Sequence, residues 1–426
     1  MKSPAKGIGF VLFSSLSAFS VYSCMYAFRK GFSVGLFEGI EYWGIDYKSL
    51  LIIAQAIGYM MSKFFGIKII SELEQKNRGT YILLLIGFSE LALLGFAYTP
   101  APLNILFLFL NGLPLGLIWG IVFSYLEGRT ATEILGAILS TSFIIAANIA
   151  KAVAQWLIID FNIPENQVPY IVGLIFAIPL IISVKMLDSI PNPDKEDIES
   201  RAKREPMTAE SRRLGFSSLS SLIVLLVVNY LILTIFRDLR SNYESDIFNA
   251  LGYAREPSVY LTTTIPVTLF VLFSLGLVFL IKDNMRALMI IQLVVIAGYI
   301  SVGISSVLFQ LNVIDGIWWV VLIGMGTYMS YIPFNCFIFE RLIPAFKISG
   351  SNIGFFMYIA DAFGYMGSVG VLLGKSFFTP EVKWLDFILN LAIYVAIFGT
   401  FISVLTIFQF AISKKKTQAI NPRWNA

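Results

Sequence analysis

Apolar runs of about twenty residues, the length an α-helix needs to cross roughly 30 Å of hydrocarbon, recur some twelve times in this chain of 426 residues. They fall near 8–28, 49–70, 80–98, 103–126, 134–159, 168–187, 216–236, 259–281, 287–309, 317–339, 352–373 and 385–412. Only helices and closed barrels satisfy their backbone groups inside a bilayer, so runs of this length predict an all-α membrane protein with twelve transmembrane helices. A hydrophobic fraction of 57% against 14% charged residues fits that class, and a net charge of only +4 leaves no surface for nucleic acid. The first run follows Lys2 and Lys6 as the core of a signal peptide would, but its length predicts a retained span.

One long polar segment interrupts the pattern, "DSIPNPDKEDIESRAKREPMTAESRRLG" at 188–215. Its charges read as a solvated linker. The expected organisation is therefore an N-terminal six-helix bundle over 1–187, a cytoplasmic linker over 188–215, and a C-terminal six-helix bundle over 216–426 with a short basic tail. If both termini are cytoplasmic, the loops on that side hold well over half of the 31 Lys and Arg, as the positive-inside rule requires. The expected location is the inner cell membrane, with both ends in the cytoplasm.

The two halves repeat one another. Tyr22-x5-Phe28-Arg29 in the first span returns as Tyr230-x5-Phe236-Arg237 in the seventh, and "IAKA" around Lys151 in the fifth span returns as "IADA" around Asp361 in the eleventh. Ile67-Lys68 matches Ile281-Lys282, and Glu127 after the fourth span matches Glu340 after the tenth. All four pairs keep nearly one offset and join span n to span n+6, the pattern of two bundles in parallel repeat. They predict two pseudo-symmetric six-helix bundles.

Polar residues within the runs form stripes. Helical spacing puts Tyr22, Tyr26 and Arg29 on one face, and likewise Tyr230, Thr234 and Arg237; Gln55, Tyr59 and Lys63 make a third stripe, and Asn148, Lys151 and Gln155 a fourth. Unsatisfied polar groups in hydrocarbon cost several kcal/mol, so such stripes should face a bundle interior or a watery cavity. Arg29, Lys30 and Arg237 stand at the outer ends of their runs, and counting about 1.5 Å per residue from Lys6 puts Arg29 roughly 34 Å along its helix. Snorkelling to the interface and a cavity-facing role both remain open for them, and for Lys63. Lys151 and Asp361 lie deeper, and one could neutralise the other. Four cations, Arg29, Lys63, Lys151 and Arg237, then face one deep acid, Asp361, a balance that favours an oxygen-rich anion. Glu90 reads as a structural charge or a coupling group.

Several features carry no chemistry. "GVLLGKS" at Gly370–Ser376 resembles a phosphate-binding loop but has three residues between its glycines where four are needed. No histidine occurs, and neither metal-ligand spacing nor a catalytic constellation is visible, so no metal, cofactor or enzymatic activity is expected. Cys24 and Cys336 lie in apolar runs and are expected to be free thiols. The spacings Gly112-x3-Gly116 and Gly370-x3-Gly374 suggest helix packing.

Twelve spans in two parallel halves joined by a polar linker resemble the major facilitator superfamily over essentially the whole chain. Within it, "YAFRKGF" at Tyr26–Phe32 and "SKF" at Ser62–Phe64 look like the organophosphate:phosphate antiporter branch. That resemblance implies that Arg29, with Arg237 by its position in the seventh span, binds phosphate, and that Lys63 lines the same cavity. It also implies a long, tilted first helix that leaves Arg29 facing inward. The superfamily's Asp-Arg loop after the second span is replaced here by "GIKIISELEQKNRG", and the antiporters' fifth-span histidine has no counterpart, with Lys151 in that span instead. The chain also resembles uncharacterised bacterial members of the superfamily.

The expected function is secondary active transport by alternating access of a small organic anion, such as an organophosphate exchanged for phosphate, by a monomer in the bilayer. Substrate-binding candidates are Arg29, Lys63, Lys151, Arg237, Tyr22, Tyr26, Tyr59 and Tyr230; gating or coupling candidates are Asp361, Glu127 and Glu340. The alternatives are proton-coupled transport of another small solute and a membrane sensor that keeps the transporter fold without net flux.

Overall fold

Inside hydrocarbon only the i to i−4 ladder satisfies every backbone N–H and C=O within one segment, and each apolar run accordingly forms a helix. A computed structural model describes residues 7–71, 77–129, 131–193, 197, 220–346 and 353–420. In chain order these form α1 (Ile8–Lys30), α2 (Tyr47–Ser71), α3 (Arg78–Tyr98), α4 (Ile105–Phe123), α5 (Thr132–Phe161), α6 (Val168–Asp188), α7 (Ser220–Asn242), the short α8 (Glu244–Ala250), α9 (Val259–Phe279), α10 (Asn284–Gln310), α11 (Gly316–Pro333), α12 (Phe339–Phe346), α13 (Ile353–Phe378) and α14 (Trp384–Ile420). A π-helical turn, Phe334–Ile338, joins α11 to α12, so that the two make a single tenth span. Among the described residues, twelve helices are long and apolar enough to cross a membrane. The sole β-structure among the described residues is a hairpin, Glu41–Tyr42 with Ile45–Asp46, whose turn residues Trp43 and Gly44 both have positive φ (56° and 74°), as a tight primed turn demands.

The seventh span runs to Asn242, six residues past the end its hydropathy predicts, because Arg237, Asp238 and Arg240 are all buried against polar partners rather than facing lipid. Most of the linker and residues 72–76 of the loop after the second span lie outside the described residues.

Outer and inner helices separate by burial. The fifth and tenth spans are 72% buried in their most apolar windows, whereas the sixth and twelfth are 33% buried. Those outer helices, with α3, turn rows such as Leu84, Phe88 and Leu91 toward lipid. Within the first six spans α1 packs on α5 and α6 and α2 on α4; within the last six α7 packs on α13 and α10 on α11. Between these sets the main contacts are α2 with α13 and α5 with α9, which are second span on eleventh and fifth on eighth. An even number of crossings among the described residues puts Gly7 and Ile420 on one face, called here the terminal face.

Small residues fix the α2–α4 contact. A Cβ on Gly58 would lie 2.3 Å from Phe109 O, and one on Gly112 would lie 2.3 Å from Gln55 O. Gly116 likewise abuts Ser62, so the Gly112-x3-Gly116 spacing does pack helices. Gly370-x3-Gly374 does not: neither glycine has a neighbour within 4 Å of a notional Cβ, and that expectation is corrected. The α2–α4 seam matters because it orients the Gln55, Tyr59, Lys63 stripe.

Candidate functional site

The site begins at the end of α1, where the last helical carbonyls lack intrahelical partners. Asn111 Nδ2 donates to Phe28 O at 3.0 Å and Gln55 Nε2 donates to Arg29 O at 3.0 Å, while Gln55 Nε2 also donates to Asn111 Oδ1 at 2.7 Å. Gln55 therefore caps α1 and aims Arg29. Beyond Lys30 the chain tightens into a 3-10 turn, Gly31–Val34, with Gly31 against Pro169 of α6. Arg29 and Lys30 end 4% and 2% exposed, so neither reaches the interface.

Around them the two symmetry-related arginines meet. Arg237 Nη2 donates to Tyr365 Oη at 2.8 Å, and Arg29 Nη1 and Nη2 each lie 3.4 Å from the same oxygen. The Arg29 guanidinium stacks 3.7 Å above the Tyr59 ring and that of Arg237 lies 4.5 Å from the Tyr331 ring. Asp238 approaches Arg29, Arg237 and Lys30 at 3.8, 3.9 and 4.0 Å. Lys30 Nζ donates to Asn242 Oδ1. Arg29 Nε is buried with no hydrogen-bond partner among the described residues. A cavity of about 10 Å3 remains among Tyr26, Arg29, Lys30, Arg237 and Asp238.

Toward the terminal face lies a second cluster. Lys63 Nζ sits 2.7 Å from Asp361 Oδ2, a bridge between α2 and α13, and 4.8 Å from the Tyr358 ring. Tyr230 Oη donates to the other Asp361 oxygen and lies 2.7 Å from Tyr331 Oη and 3.3 Å from Asn335 Oδ1. Asn335 is presented by the π-helical turn, a distortion that recurs at functional positions. Tyr358 Oη accepts from Gly120 N at 3.1 Å, a further contact between α4 and α13.

On the opposite face α8 joins the two sets of spans. Three consecutive residues each take a partner from the first six spans: Glu244 pairs with Lys151 at 2.6 Å, Ser245 Oγ donates to Ser33 O at 2.9 Å, and Asp246 pairs with Lys48 at 2.6 Å. Lys151 also donates to Ser241 O at 2.5 Å, and Gln155 Nε2 to Ala254 O at 2.6 Å. Asn148 Nδ2 donates to Thr264 Oγ1. The Asn148, Lys151, Gln155 stripe is thus a seam to α8 and α9.

Of the predicted residues, the structure gathers Arg29, Arg237, Tyr26, Tyr59 and Tyr230 with Lys63 and Asp361 in one continuous buried polar zone, and Tyr22 packs edge-on to Tyr26 at 5.5 Å. Lys151 and Asp361 do not pair; each reaches a partner across from it, Glu244 and Lys63, because the symmetry puts them on different inter-half seams. The expectation of a single deep acid also fails, since Asp238 and Glu244 are buried with Asp361. Thr234 donates to its own helix at Tyr230 O and packs on Gly364. Glu127 and Glu340 stand at the terminal-face ends of the fourth and tenth spans, at another level from the arginines. Glu90 lies between α3 and α6, against Gly173, with no hydrogen-bond partner for either oxygen among the described residues. Sequence reasoning missed Asp238, Glu244, Lys48, Tyr365 and Asn335. Asp238 alone carried a signal, as the residue aligned with Lys30 in the repeat.

A family model described as a family of unknown function, DUF5690, matches residues 31–414. The chain belongs to that family. The match covers Lys63, Lys151, Arg237, Asp238 and Asp361 of this DUF5690 protein and starts just after Arg29 and Lys30. No curated protein matches the sequence. Among solved structures it is similar to a bacterial homologue of the human drug peptide transporters PepT1 and PepT2, at 10% identity and a TM-score of 0.61, covering 96% of this chain and 99% of the other. It is also similar to the major facilitator superfamily proton:xylose symporter XylE, at 15% identity and a TM-score of 0.61 over 92% and 95% of the two chains. The nucleoside transporter NupG aligns at 14% identity and a TM-score of 0.56, over 95% and 99%. At such identities the likeness is one of fold: this DUF5690 protein has the major facilitator fold.

Proposed function

We propose that this DUF5690 protein is a secondary transporter that moves a small organic anion by alternating access, its first and last six spans (1–187 and 216–426) rocking about the arginine cluster as two units joined by the 188–215 linker. The observation that carries the reading is Arg29, a buried guanidinium whose Nε has no hydrogen-bond partner among the described residues and whose other nitrogens reach a phenol oxygen only at 3.4 Å. Five fixed donors so weakly used fit a bidentate oxyanion such as a phosphate or carboxylate. Arg237, Lys30 and Lys63 add positive potential, and Tyr26 and Tyr59 offer ring faces for the rest of the molecule. The α8 seam and the Lys63–Asp361 bridge join the two sets of spans on opposite levels, so each can open while the other holds. The solved transporters that share the fold are consistent with transport. The short resemblances at Tyr26–Phe32 and Ser62–Phe64 favour an organophosphate exchanged for phosphate, in an inner membrane with both termini cytoplasmic, by a monomer.

The test is counterflow of labelled phosphate into proteoliposomes preloaded with phosphate, for wild type and Arg29→Ala, followed by competition with phosphorylated and carboxylated metabolites. Exchange that vanishes in the variant supports the reading. Absence of exchange with every anion in the panel sinks it.

A second reading, proton-coupled transport of another solute, is favoured by Asp361, whose side chain keeps 12% exposure beside Lys63 and Tyr230. It predicts uptake that follows a pH gradient and stops in Asp361→Asn.

A further inference from the structure

The repeat puts opposite charges at equivalent places. Phe28-Arg29 is followed by Lys30, and Phe236-Arg237 by Asp238. In the folded chain the two positions meet, with Lys30 Nζ 4.0 Å from Asp238 Oδ1 and Arg29 and Arg237 3.8 and 3.9 Å from that same oxygen. All three separations exceed a direct N–H···O hydrogen bond. The hydrogen bonds that Asp238 accepts come from Ser368 Oγ at 2.8 Å and Asn242 Nδ2 at 3.3 Å, both to Oδ2. Oδ1 is thus surrounded by three cations and bonded to none of them.

The space beside it is small. The cavity that Tyr26, Arg29, Lys30, Arg237 and Asp238 border measures about 10 Å3, the volume of about one water-sized sphere. A phosphate or carboxylate group does not fit there while Oδ1 keeps its place, and its charge would be repelled by the carboxylate at close range. An anion that reaches the arginines therefore has to take the position Asp238 holds.

We propose that Asp238 is a displaceable resident anion. The anionic group of the substrate and the Asp238 carboxylate compete for Arg29, Lys30 and Arg237, and the carboxylate leaves when the substrate binds. This rests on the anion-transport reading and adds a rule for turnover: exchange for phosphate is one mode of a carrier that can also return empty. Burying several unneutralised cations is costly, so a resident carboxylate lets the protein close and change faces without substrate, which permits net uptake. Without it, only the anion-loaded form closes, and the protein becomes an obligatory exchanger.

The experiment uses full-length protein in proteoliposomes with labelled inorganic phosphate as the probe. Wild type, Asp238→Asn and Asp238→Glu are compared in counterflow from phosphate-loaded vesicles and in net uptake into phosphate-free vesicles. Asp238→Asn is expected to bind phosphate at least about tenfold more tightly through loss of a competing charge and to lower the ratio of net uptake to counterflow by about tenfold or more; Asp238→Glu is expected to restore that ratio. Because an unneutralised cluster can hinder folding, Ser368→Ala serves as a second variant. It frees Oδ2 without changing charge, and is expected to strengthen phosphate binding severalfold, where mere structural damage would weaken it. Wild-type exchange with no net uptake, an unchanged ratio of net uptake to counterflow in Asp238→Asn, or weaker phosphate binding in Ser368→Ala, overturns the displacement and leaves the transport reading standing. Absence of phosphate exchange and binding in wild type and all variants sinks the phosphate reading, and this inference with it.

Discussion

Arg29 and Arg237 share one acceptor, the Tyr365 hydroxyl, at 3.4 and 2.8 Å. The two arginines come from equivalent turns of the first and seventh spans, and Tyr365 comes from α13, so one phenol oxygen marks where the halves of the repeat converge. Two like charges held this close repel, and the neutral hydroxyl relieves only part of that. Asp238 and the rings of Tyr59 and Tyr331 supply the rest.

Removing that hydroxyl should expose the cost. Tyr365→Phe leaves the ring contacts at 5.4 and 5.6 Å in place but strips both guanidiniums of their shared acceptor. Leaving a buried charged donor short of partners costs about 1–3 kcal/mol, so the unfolding temperature in detergent should drop by a few degrees. On the proposed anion-binding reading, added phosphate should recover more of the loss in the variant than it adds to wild type. A variant that unfolds at the wild-type temperature would show that the hydroxyl carries no such load.

The Lys63–Asp361 bridge is expected to behave as a unit. Either Lys63→Met or Asp361→Asn alone strands a buried partner, a loss of about 3–5 kcal/mol, whereas the double replacement should regain much of it. Thermal unfolding of the four proteins measures the coupling. Additive losses would mean that each residue is held by its other neighbours, Tyr358 for Lys63 and Tyr230 for Asp361.

What the sequence disclosed follows from where the physics is local. Span count and the repeat were legible because bilayer thickness and helical period act on neighbouring residues, and the tyrosine and arginine stripe at Tyr22, Tyr26 and Arg29 was legible for the same reason. Ion-pair partners were not. Lys151 and Asp361 looked like a natural pair because each was the deep charge of its span, yet their seams are separate, and only tertiary placement brings Glu244 to one and Lys63 to the other. Gln55 looked like cavity lining, but the unpaired carbonyls at the end of α1 claim it. Hydropathy ended the seventh span too early at the charges around Asp238, whose burial depends on cations elsewhere in the chain.

Helix packing gives a contrast between two superficially similar glycine pairs. Gly112→Ala would push a Cβ to 2.3 Å from the Gln55 carbonyl and should destabilise by about 1–3 kcal/mol, as overpacking does. Gly374→Ala has open space and should be neutral or stabilising by up to about 1 kcal/mol, the helix-propensity difference. Equal unfolding temperatures for the two variants would contradict the α2–α4 seam. Because Gln55 sits on that seam, Gly112→Ala should also weaken any phosphate exchange that the proposed anion transport gives in wild type.

The α8 seam should control access from the face opposite the termini. Burial works to raise the Glu244 carboxyl, but Lys151 and Arg240 hold it below its ordinary 4.5. A carboxylate depressed in this way contributes stability above the unfolded value and loses it only as pH falls through the lower folded one. The seam should therefore hold unchanged between pH 5 and pH 8, a range set by the ordinary carboxyl value of about 4 to 4.5. The readout is a membrane-impermeant thiol reagent applied to Ser241→Cys, whose native cysteines Cys24 and Cys336 are buried and give little background. Labelling from that face should be slow at both pH values and should rise about tenfold or more when Glu244→Gln is added, since the loss of a buried ion pair exceeds the 1.4 kcal/mol that a tenfold shift in the open population requires. Equal labelling with and without Glu244→Gln would mean that Lys48–Asp246 and the Ser245–Ser33 contact hold that face closed by themselves.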